Sequence, residues 1–364
     1  MIKLPVEPLF FEPIYFEKLW GGSTLKEKYN RQISSEKPIG ESWELSGFQS
    51  AQSVVNSGEL KGITLGELVN RTPEPLTGIN SLQQFPLLIK FIDAAQRLSV
   101  QVHPGSNTQN AKSECWYVAD AKADAKLITG FSIDVTREAI IAALKSKSLS
   151  SMLNEVTIKA GEMYYIPSGT VHAIMGDCLI YEVQQSSNTT FRLYDWDRSD
   201  ICSQPRELHV QQALETLEMQ GNRSYRIEPV IIERNGYVHL LRMACKHFAV
   251  EEYQFAKSKE IKPFQRRSFR VVTVIDGFIS VRYGHKEVHI EKGKTVLIPS
   301  VLKEISIIAD AGCKIVMTFI PDLIVDIIEP LIAEKISPHK IISLAGSKNN
   351  ELQPFLIGEA LLKS

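Results

Sequence analysis

The chain has 364 residues, a net charge of −1, 44% hydrophobic and 23% charged residues. That length can hold two or three domains, and the composition is that of an ordinary globular protein. The near-neutral charge gives no electrostatic case for nucleic acid or an anionic membrane, and no apolar run approaches the length of a spanning helix. The N-terminus lacks a basic start followed by an apolar core, so no secretion signal is expected. Cys115, Cys178, Cys202, Cys245 and Cys313 are scattered, odd in number and without a Cys-x-x-Cys. They read as small buried hydrophobes in a reducing, cytoplasmic setting. Oligomeric state is not legible.

In chain order, residues 5–20 alternate weakly, carry Phe10, Phe11, Tyr15, Phe16 and Trp20, and read as one or two strands ending at Gly21-Gly22. Thr64 to Val69 is a short helix, and Arg71 to Gln84 a surface connection. Phe85 to Ala94 is a buried strand interrupted by Lys90, whose ammonium must either reach water or meet an anion.

The stretch Leu98-Ser99-Val100-Gln101-Val102-His103-Pro104 is a strand ended by Pro104 and Gly105. Residues two apart share a face, so Ser99, Gln101 and His103 look one way while Val100 and Val102 look the other. Lys112-Ser113-Glu114-Cys115-Trp116-Tyr117 follows closely, and His172 ends a turn–strand–turn segment from Gly161 through Pro167 and Gly169. Two imidazoles, a carboxylate and an amide oxygen make a plausible shell for a divalent first-row metal: Gln101, His103, Glu114 and His172.

Asp134 to Leu153 turns helical, capped by Asp134 or Thr136, with Ile140, Ile141 and Leu144 as its apolar stripe. Another helix is expected from Gln204-Pro205, with Val210, Ala213, Leu214 and Leu217 inward. From Arg226 to Pro321 many short strands follow with close turns. Lys159 to Ser168 is echoed by Glu291 to Ser300, with Gly and Pro in matching places and Glu304 where the first copy has His172. After Pro321 a tail is helical around Ile324 to Ala333 and Ile341, with Pro330, Pro338 and Gly346 as expected breaks.

These motifs resemble the type I mannose-6-phosphate isomerase family. The Gly-x5-Pro-x-Gly-x2-His pattern is the second cupin motif. Gln-x-His-Pro, Lys-Ser-Glu-x-Trp-Tyr, Gly40 to Ser46, Leu87 to Lys90 and Tyr181 to Arg198 carry the narrower likeness. It runs from about Pro8 to about His209 and more weakly to Pro321. The resemblance implies a mainly β fold with some α: two cupin-like (jelly-roll) β-barrels with accessory helices. Residues 1–220 would form the catalytic lobe, 221–321 a second lobe without metal ligands, and 322–364 a partly helical tail.

It implies an aldose–ketose isomerase that interconverts mannose 6-phosphate and fructose 6-phosphate, with one divalent ion, zinc by preference. Gln101, His103, Glu114 and His172 would be its ligands. Arg192 would steady the enediolate, and Lys112 or Glu182 would carry the proton, with nothing in the sequence to choose between them. Ser99, Lys90 and Arg198 would take the phosphate. A non-catalytic cupin binding a sugar phosphate is the alternative. Retention of the four metal-type residues together with Arg192 and Lys112 favours the enzyme.

Overall fold

The computed structural model describes residues 6–105, 110–199, 204–346 and 351–356. Strand holds 40% and helix 17%, so the fold is mainly β, in several antiparallel sheets.

In the N-terminal half a seven-stranded sheet runs in the order Arg226–Ile227, Met163–Ile166, Glu114–Ala121, Cys178–Gln185, Leu87–Ala94, Ile14–Gly22, Ile39–Leu45. A five-stranded sheet runs Leu153–Thr157, Lys126–Phe131, His172–Ile174, Val100–Val102, Phe191–Tyr194. Trp20, Ile92, Trp116, Val118, Leu127, Ile166 and Ile174 form one core drawn from both sheets. The C-terminal half repeats the plan. Its seven strands are Leu9–Phe10, Thr295–Ile298, Arg270–Asp276, Lys314–Phe319, Ala249–Phe255, Tyr237–Ala244 and Val230–Arg234, and a four-stranded sheet accompanies them.

The seven-stranded sheets lie against each other. Leu87, Ile89, Phe91, Tyr117, Tyr165 and Tyr181 of one share a core with Phe248, Val250, Phe269, Val271 and Val316 of the other. Strand Leu87–Ala94 is therefore buried throughout, with Leu87, Ile89 and Phe91 in this core and Lys90, Ile92 and Ala94 on the opposite side. Polar groups join the halves as well. Tyr117 donates to Glu252 Oε1 (3.3 Å), a carboxylate held within the C-terminal half by Arg242 Nε (2.6 Å), and Thr273 donates to the Tyr181 hydroxyl (3.0 Å). The halves also trade edges: Leu9–Phe10 pairs with Thr295–Ile298, and Arg226–Ile227 with Met163–Ile166.

The sequence echo is a structural repeat. Gly161 donates to Val118 O (2.8 Å) as Gly293 does to Val274 O (2.7 Å). Val118 N reaches Glu162 O as Val274 N reaches Lys294 O, and Thr170 N reaches Pro167 O as Leu302 N reaches Pro299 O. Both glycines sit at positive φ (88° and 76°), where any other residue is strained.

Several expectations are corrected. Thr72 to Gly78 is not plain connection: Pro73 opens the short helix Pro73–Thr77. The helix expected from Asp134 to Leu153 is Arg137–Lys145, capped by Thr136 Oγ1 on Ala139 N, then a 3-10 turn and the strand Leu153–Thr157. The one expected from Gln204 is only Val210–Thr216. The residues before it are drawn to the site instead, Arg206 by Asp195 and the Glu207 carbonyl by Arg192. In the tail Pro330 and Pro338 sit in the first turns of helices Glu329–Ala333 and Pro338–Ser343, where proline is tolerated. Four cysteines are free and buried; Cys202 lies outside the described residues. Among the described residues no helix is long and apolar enough to cross a membrane.

Candidate active site

Three adjacent strands of the five-stranded sheet set His172, Gln101 and Arg192 in one row, since His172 and Arg192 each pair with Gln101. Neighbouring strands are about 4.8 Å apart, so the row spans roughly 10 Å. Val100 and Val102 point away into an apolar core shared with helices Arg137–Lys145 and Val210–Thr216. His103 follows the strand. Glu114 comes across from the first position of its strand in the seven-stranded sheet.

Backbone carbonyls fix both imidazoles. His103 Nδ1 lies 3.0 Å from Thr189 O and His172 Nδ1 2.8 Å from Thr170 O. Each Nδ1 must carry the proton, because a carbonyl can only accept, and each Nε2 is left as a lone pair. Those lone pairs converge on one carboxylate: His103 Nε2 is 3.2 Å from Glu114 Oε2 and His172 Nε2 is 3.4 Å from Glu114 Oε1. The three donor atoms lie within 4.8 Å of one another, and all three side chains are at most 2% exposed. Lone pair facing lone pair in a dry interior is unfavourable unless a cation lies between, and the Lys112 ammonium, 3.1 Å from His103 Nε2, supplies part of that charge. Glu114 Oε2 has no well-aligned hydrogen bond, although Lys112 Nζ is 2.8 Å away. Gln101 Nε2 is 3.3 Å from His172 Nε2, and a half-turn of the amide brings its oxygen there.

The electrostatics agree. Burial, with Lys112 beside it, brings His103 down to about 3, and burial lowers His172 too, so both are neutral, ligand-type imidazoles. Burial pushes the other way on Glu114, but the Lys112 ammonium beside it holds it well below the usual carboxylate range. The group fits a divalent ion.

From Glu114 a file of alternating charges leads outward. Lys112 Nζ lies 3.9 Å from Glu182 Oε1, Lys90 Nζ lies 3.2 Å from Glu182 and 3.6 Å from Glu41, and Lys18 Nζ lies 3.3 Å from Glu41. Lys90 thus resolves its dilemma by meeting two anions. The glutamates differ. Against burial, Lys90 and Lys18 hold Glu41 at about 2, and Trp43 Nε1 donates to it. Burial and the Glu114 charge raise Glu182, whose other oxygen accepts from Trp116 Nε1 (3.1 Å).

These groups border a cavity of about 230 Å³. Of the residues singled out from sequence, Ser99, Lys90, Gln101, Lys112, Glu182 and Arg192 line it, and His103, Glu114 and His172 lie behind Gln101 and Lys112. Arg198 does not line it: its Nε donates to Asp195 Oδ1 (3.0 Å) and its Nη1 to Arg97 O. Arg206 lines the cavity in its stead, gripped bidentately by Asp195 at 2.6 Å on both oxygens. Against burial, Arg206 and Arg198 keep Asp195 below its usual range. Arg192 Nη1 donates to Glu207 O (2.6 Å), and its Nε is buried with no hydrogen-bond partner among the described residues.

Sequence reasoning left out Glu41, Lys18, Trp20, Asn188, Thr190 and Arg206 as wall residues. The alternation of Leu87–Ala94 put Lys90 on the cavity face, and a search for its counter-charge on a neighbouring strand could have found Glu41.

The description "Phosphomannose isomerase type I, catalytic domain" matches residues 9–125, and "Mannose-6-phosphate isomerase, cupin domain" matches residues 241–319. The chain is 36% identical over 325 residues to the mannose-6-phosphate isomerase ManA of Bacillus subtilis (strain 168), covering 98% of that protein with 85% of its own length. The crystal structure of the mannose 6-phosphate isomerase from Bacillus subtilis superposes with a TM-score of 0.79 at 31% identity, over 86% of this chain and 99% of that one. A mannose 6-phosphate isomerase bound with zinc and yttrium shares the fold at 14% identity, with a TM-score of 0.66 over 86% of this chain and 99% of that one. The chain belongs to the type I phosphomannose isomerase family, whose members isomerise mannose 6-phosphate.

Proposed function

We propose that this protein interconverts mannose 6-phosphate and fructose 6-phosphate by proton transfer between C1 and C2 through a cis-enediol. The observation that carries the reading is the junction of two arrangements. Convergent lone pairs of His103, Glu114 and His172 meet the alternating lysine–glutamate file on the wall of one cavity. When bound, a divalent ion held by these residues and the Gln101 oxygen, zinc by analogy with the zinc-bound relative, polarises the sugar oxygens as a Lewis acid.

Glu182 carries the proton. Burial and Glu114 have raised its pKa towards the working range, as a general base requires, while Trp116 fixes its orientation. Lys112, between Glu182 and Glu114, donates to the oxygen on which charge develops. Arg192 faces the same row as Gln101 and offers a planar fork to the enediolate.

The three lysines and three glutamates of the file cancel, so a divalent ion together with Arg192 and Arg206 leaves the pocket with an excess of positive charge. A phosphate monoester of charge near −2 suits that excess. Ser99 and Lys90 line the wall for it, Arg206 stands at the rim, and Arg198 acts from behind through the shared Asp195. On the same reading each pair of facing sheets is a cupin-like jelly-roll barrel, residues 1–220 and 221–321, with 322–364 as a tail. Free buried thiols suit a cytoplasmic enzyme.

The test is a coupled assay with mannose 6-phosphate, before chelation, after it, and after metal add-back. Turnover that vanishes and returns supports the reading; no turnover by the reloaded protein sinks it.

A further inference from the structure

The matched backbone bonds of the two halves fix which residues correspond. Arg270 stands opposite Ile298 as Glu114 stands opposite Ile166. One strand further, Met317 holds the place of Glu182; the next brings Glu251 to that of Lys90, and the next His239 to that of Glu41. On the facing side Glu304 follows Ile298 at the interval by which His172 follows Ile166. The strand Lys259–Ile261 pairs beside the strand that follows Glu304 as Val100–Val102 pairs beside the strand that His172 opens. Arg266 follows the first of these in the chain, as His103 follows Val100–Val102.

The charges are reversed. Where the first half has Glu114 and His103 the second has Arg270 and Arg266, and where the first has Lys90 the second has Glu251. A site made to surround a cation has become one built around guanidinium groups, 4% exposed on Arg266 and 3% for Arg270 as a whole. Arg266 Nη2 pairs with Glu251 Oε1, and Glu251 Oε2 accepts from Tyr253 (3.0 Å). Arg270 Nη2 donates to Leu302 O (2.6 Å), while its Nη1 is buried with no hydrogen-bond partner among the described residues, and His239 Nε2 lies 3.6 Å from Glu251 Oε1. Burial with Arg266 alongside lowers Arg270 to about 10. Two arginines against one glutamate leave one positive charge over.

The tail supplies the answering anion. Its Asp322 caps a wide π turn, Leu323–Ile328, which delivers Asp326 into the interior at 5% exposure. Arg266 Nη1 donates to Asp326 O (3.0 Å) and lies 3.4 Å from Asp326 Oδ1, and the Asp322 amide donates to Asp326 Oδ2 (2.8 Å). Asp326 lies beyond residue 319, where the family match ends.

We propose that the C-terminal half carries a carboxylate-binding site where the N-terminal half carries its metal set, and that Asp326 of the tail is its resident ligand. With the Asp326 carboxylate removed, Arg266 takes a small carboxylate from solution.

The test is chemical rescue in the full chain. Asp326→Gly lowers the thermal unfolding midpoint by about 5–10 °C, the range expected for breaking a buried ion pair in a chain of this size. Sodium formate at up to ~100 mM restores at least half of that loss, through binding to the folded form. Sodium chloride at the same ionic strength does not, and Asp326→Gly with Arg266→Met does not respond to formate. Equal effects of formate and chloride on Asp326→Gly would overturn the proposal. If the glycine variant does not fold, Asp326→Asn is crossed with Arg266→Met: a double variant more stable than either single one supports the site, and additive losses overturn it. Metal content is measured throughout and should not change, because the site lies in the other half.

Discussion

Replacing Lys90 by Met tests the charge file at the buried cation that bridges Glu182 and Glu41. Met keeps most of the volume and removes the ammonium. The Lys90 side chain is 10% exposed and sits 3.2 Å from Glu182 and 3.6 Å from Glu41, so the change strips two buried carboxylates of a shared partner. Breaking a buried pair by deleting one member costs about 3–5 kcal/mol, against about 1 kcal/mol or less for a solvated one. Glu41 keeps Lys18 and Trp43, whereas Glu182 keeps only Trp116 and the more distant Lys112. Most of the cost should therefore sit on Glu182. Urea unfolding of the chelated protein reads it, with Lys90→Met, Glu182→Gln and the double variant as a cycle. The double variant should be more stable than Lys90→Met, by about 2 kcal/mol or more. In the single variant Glu182 rises further, so the acid limb of kcat should move to higher pH. A loss below about 1 kcal/mol for Lys90→Met, or strict additivity, would show that the lysine head is solvated and that the file does not act as one unit.

Glu182→Gln should lower kcat by about 10²- to 10⁴-fold with metal content unchanged, and turnover in heavy water should place deuterium at the migrating position in the wild type; unchanged kcat would remove Glu182 from proton transfer. His103→Ala and His172→Ala should lose metal by elemental analysis while keeping the β-rich circular dichroism spectrum, and full occupancy in both would refute the ligand set. Arg192→Lys keeps the charge but loses the fork and should cut kcat more than it raises KM; equal turnover would place Arg192 away from the oxyanion. Glu41 and Glu251 are each held at about 2 against an ordinary 4.5, so each stabilises the fold above its ordinary value and loses that contribution as pH falls from 4.5 towards 2. The acid limb of the stability curve should be shallower in Glu41→Gln, and an unaltered limb would contradict the pairing with Lys90 and Lys18.

Much of this was legible because β structure writes its faces into alternate residues. Ser99-Val-Gln101-Val-His103 gave the strand, its wet face and its dry face, and the Gly–Pro spacing gave the repeat. The C-terminal strands were legible where they are apolar, as at Arg270–Asp276 and Lys314–Phe319. They were not where polar alternation hides them: Lys286–Glu291, Lys-Glu-Val-His-Ile-Glu, buries only Ile290. Arg206 was missed because the pull that matters there is tertiary. Asp195 captures its guanidinium and Arg192 takes the next carbonyl, so a segment with a helix-start pattern stays extended. Which arginine faces the cavity was likewise beyond pattern, since Arg198 and Arg206 share the Asp195 carboxylate and only their tertiary placement around it decides.

The repeat explains why the two halves can differ so completely in chemistry. The contacts that define the shared plan are made by backbone amides and by glycines at positive φ, and they do not involve the side chains that point between the sheets. Those side chains are constrained only in sum: a buried set must come out electrically balanced. The first half reaches balance with a metal-type set and a lysine–glutamate file, the second with two arginines, one glutamate and a carboxylate brought in by the tail. Arg270→Glu alone should therefore not create a metal site. It would set a third carboxylate against Glu251 and Asp326 with Arg266 as the sole strong counter-charge, and zinc has no imidazole there in the places of His103 and His172. An Arg270→Glu protein that bound a second equivalent of zinc would show that charge balance, and not the imidazole pair, is what selects the metal.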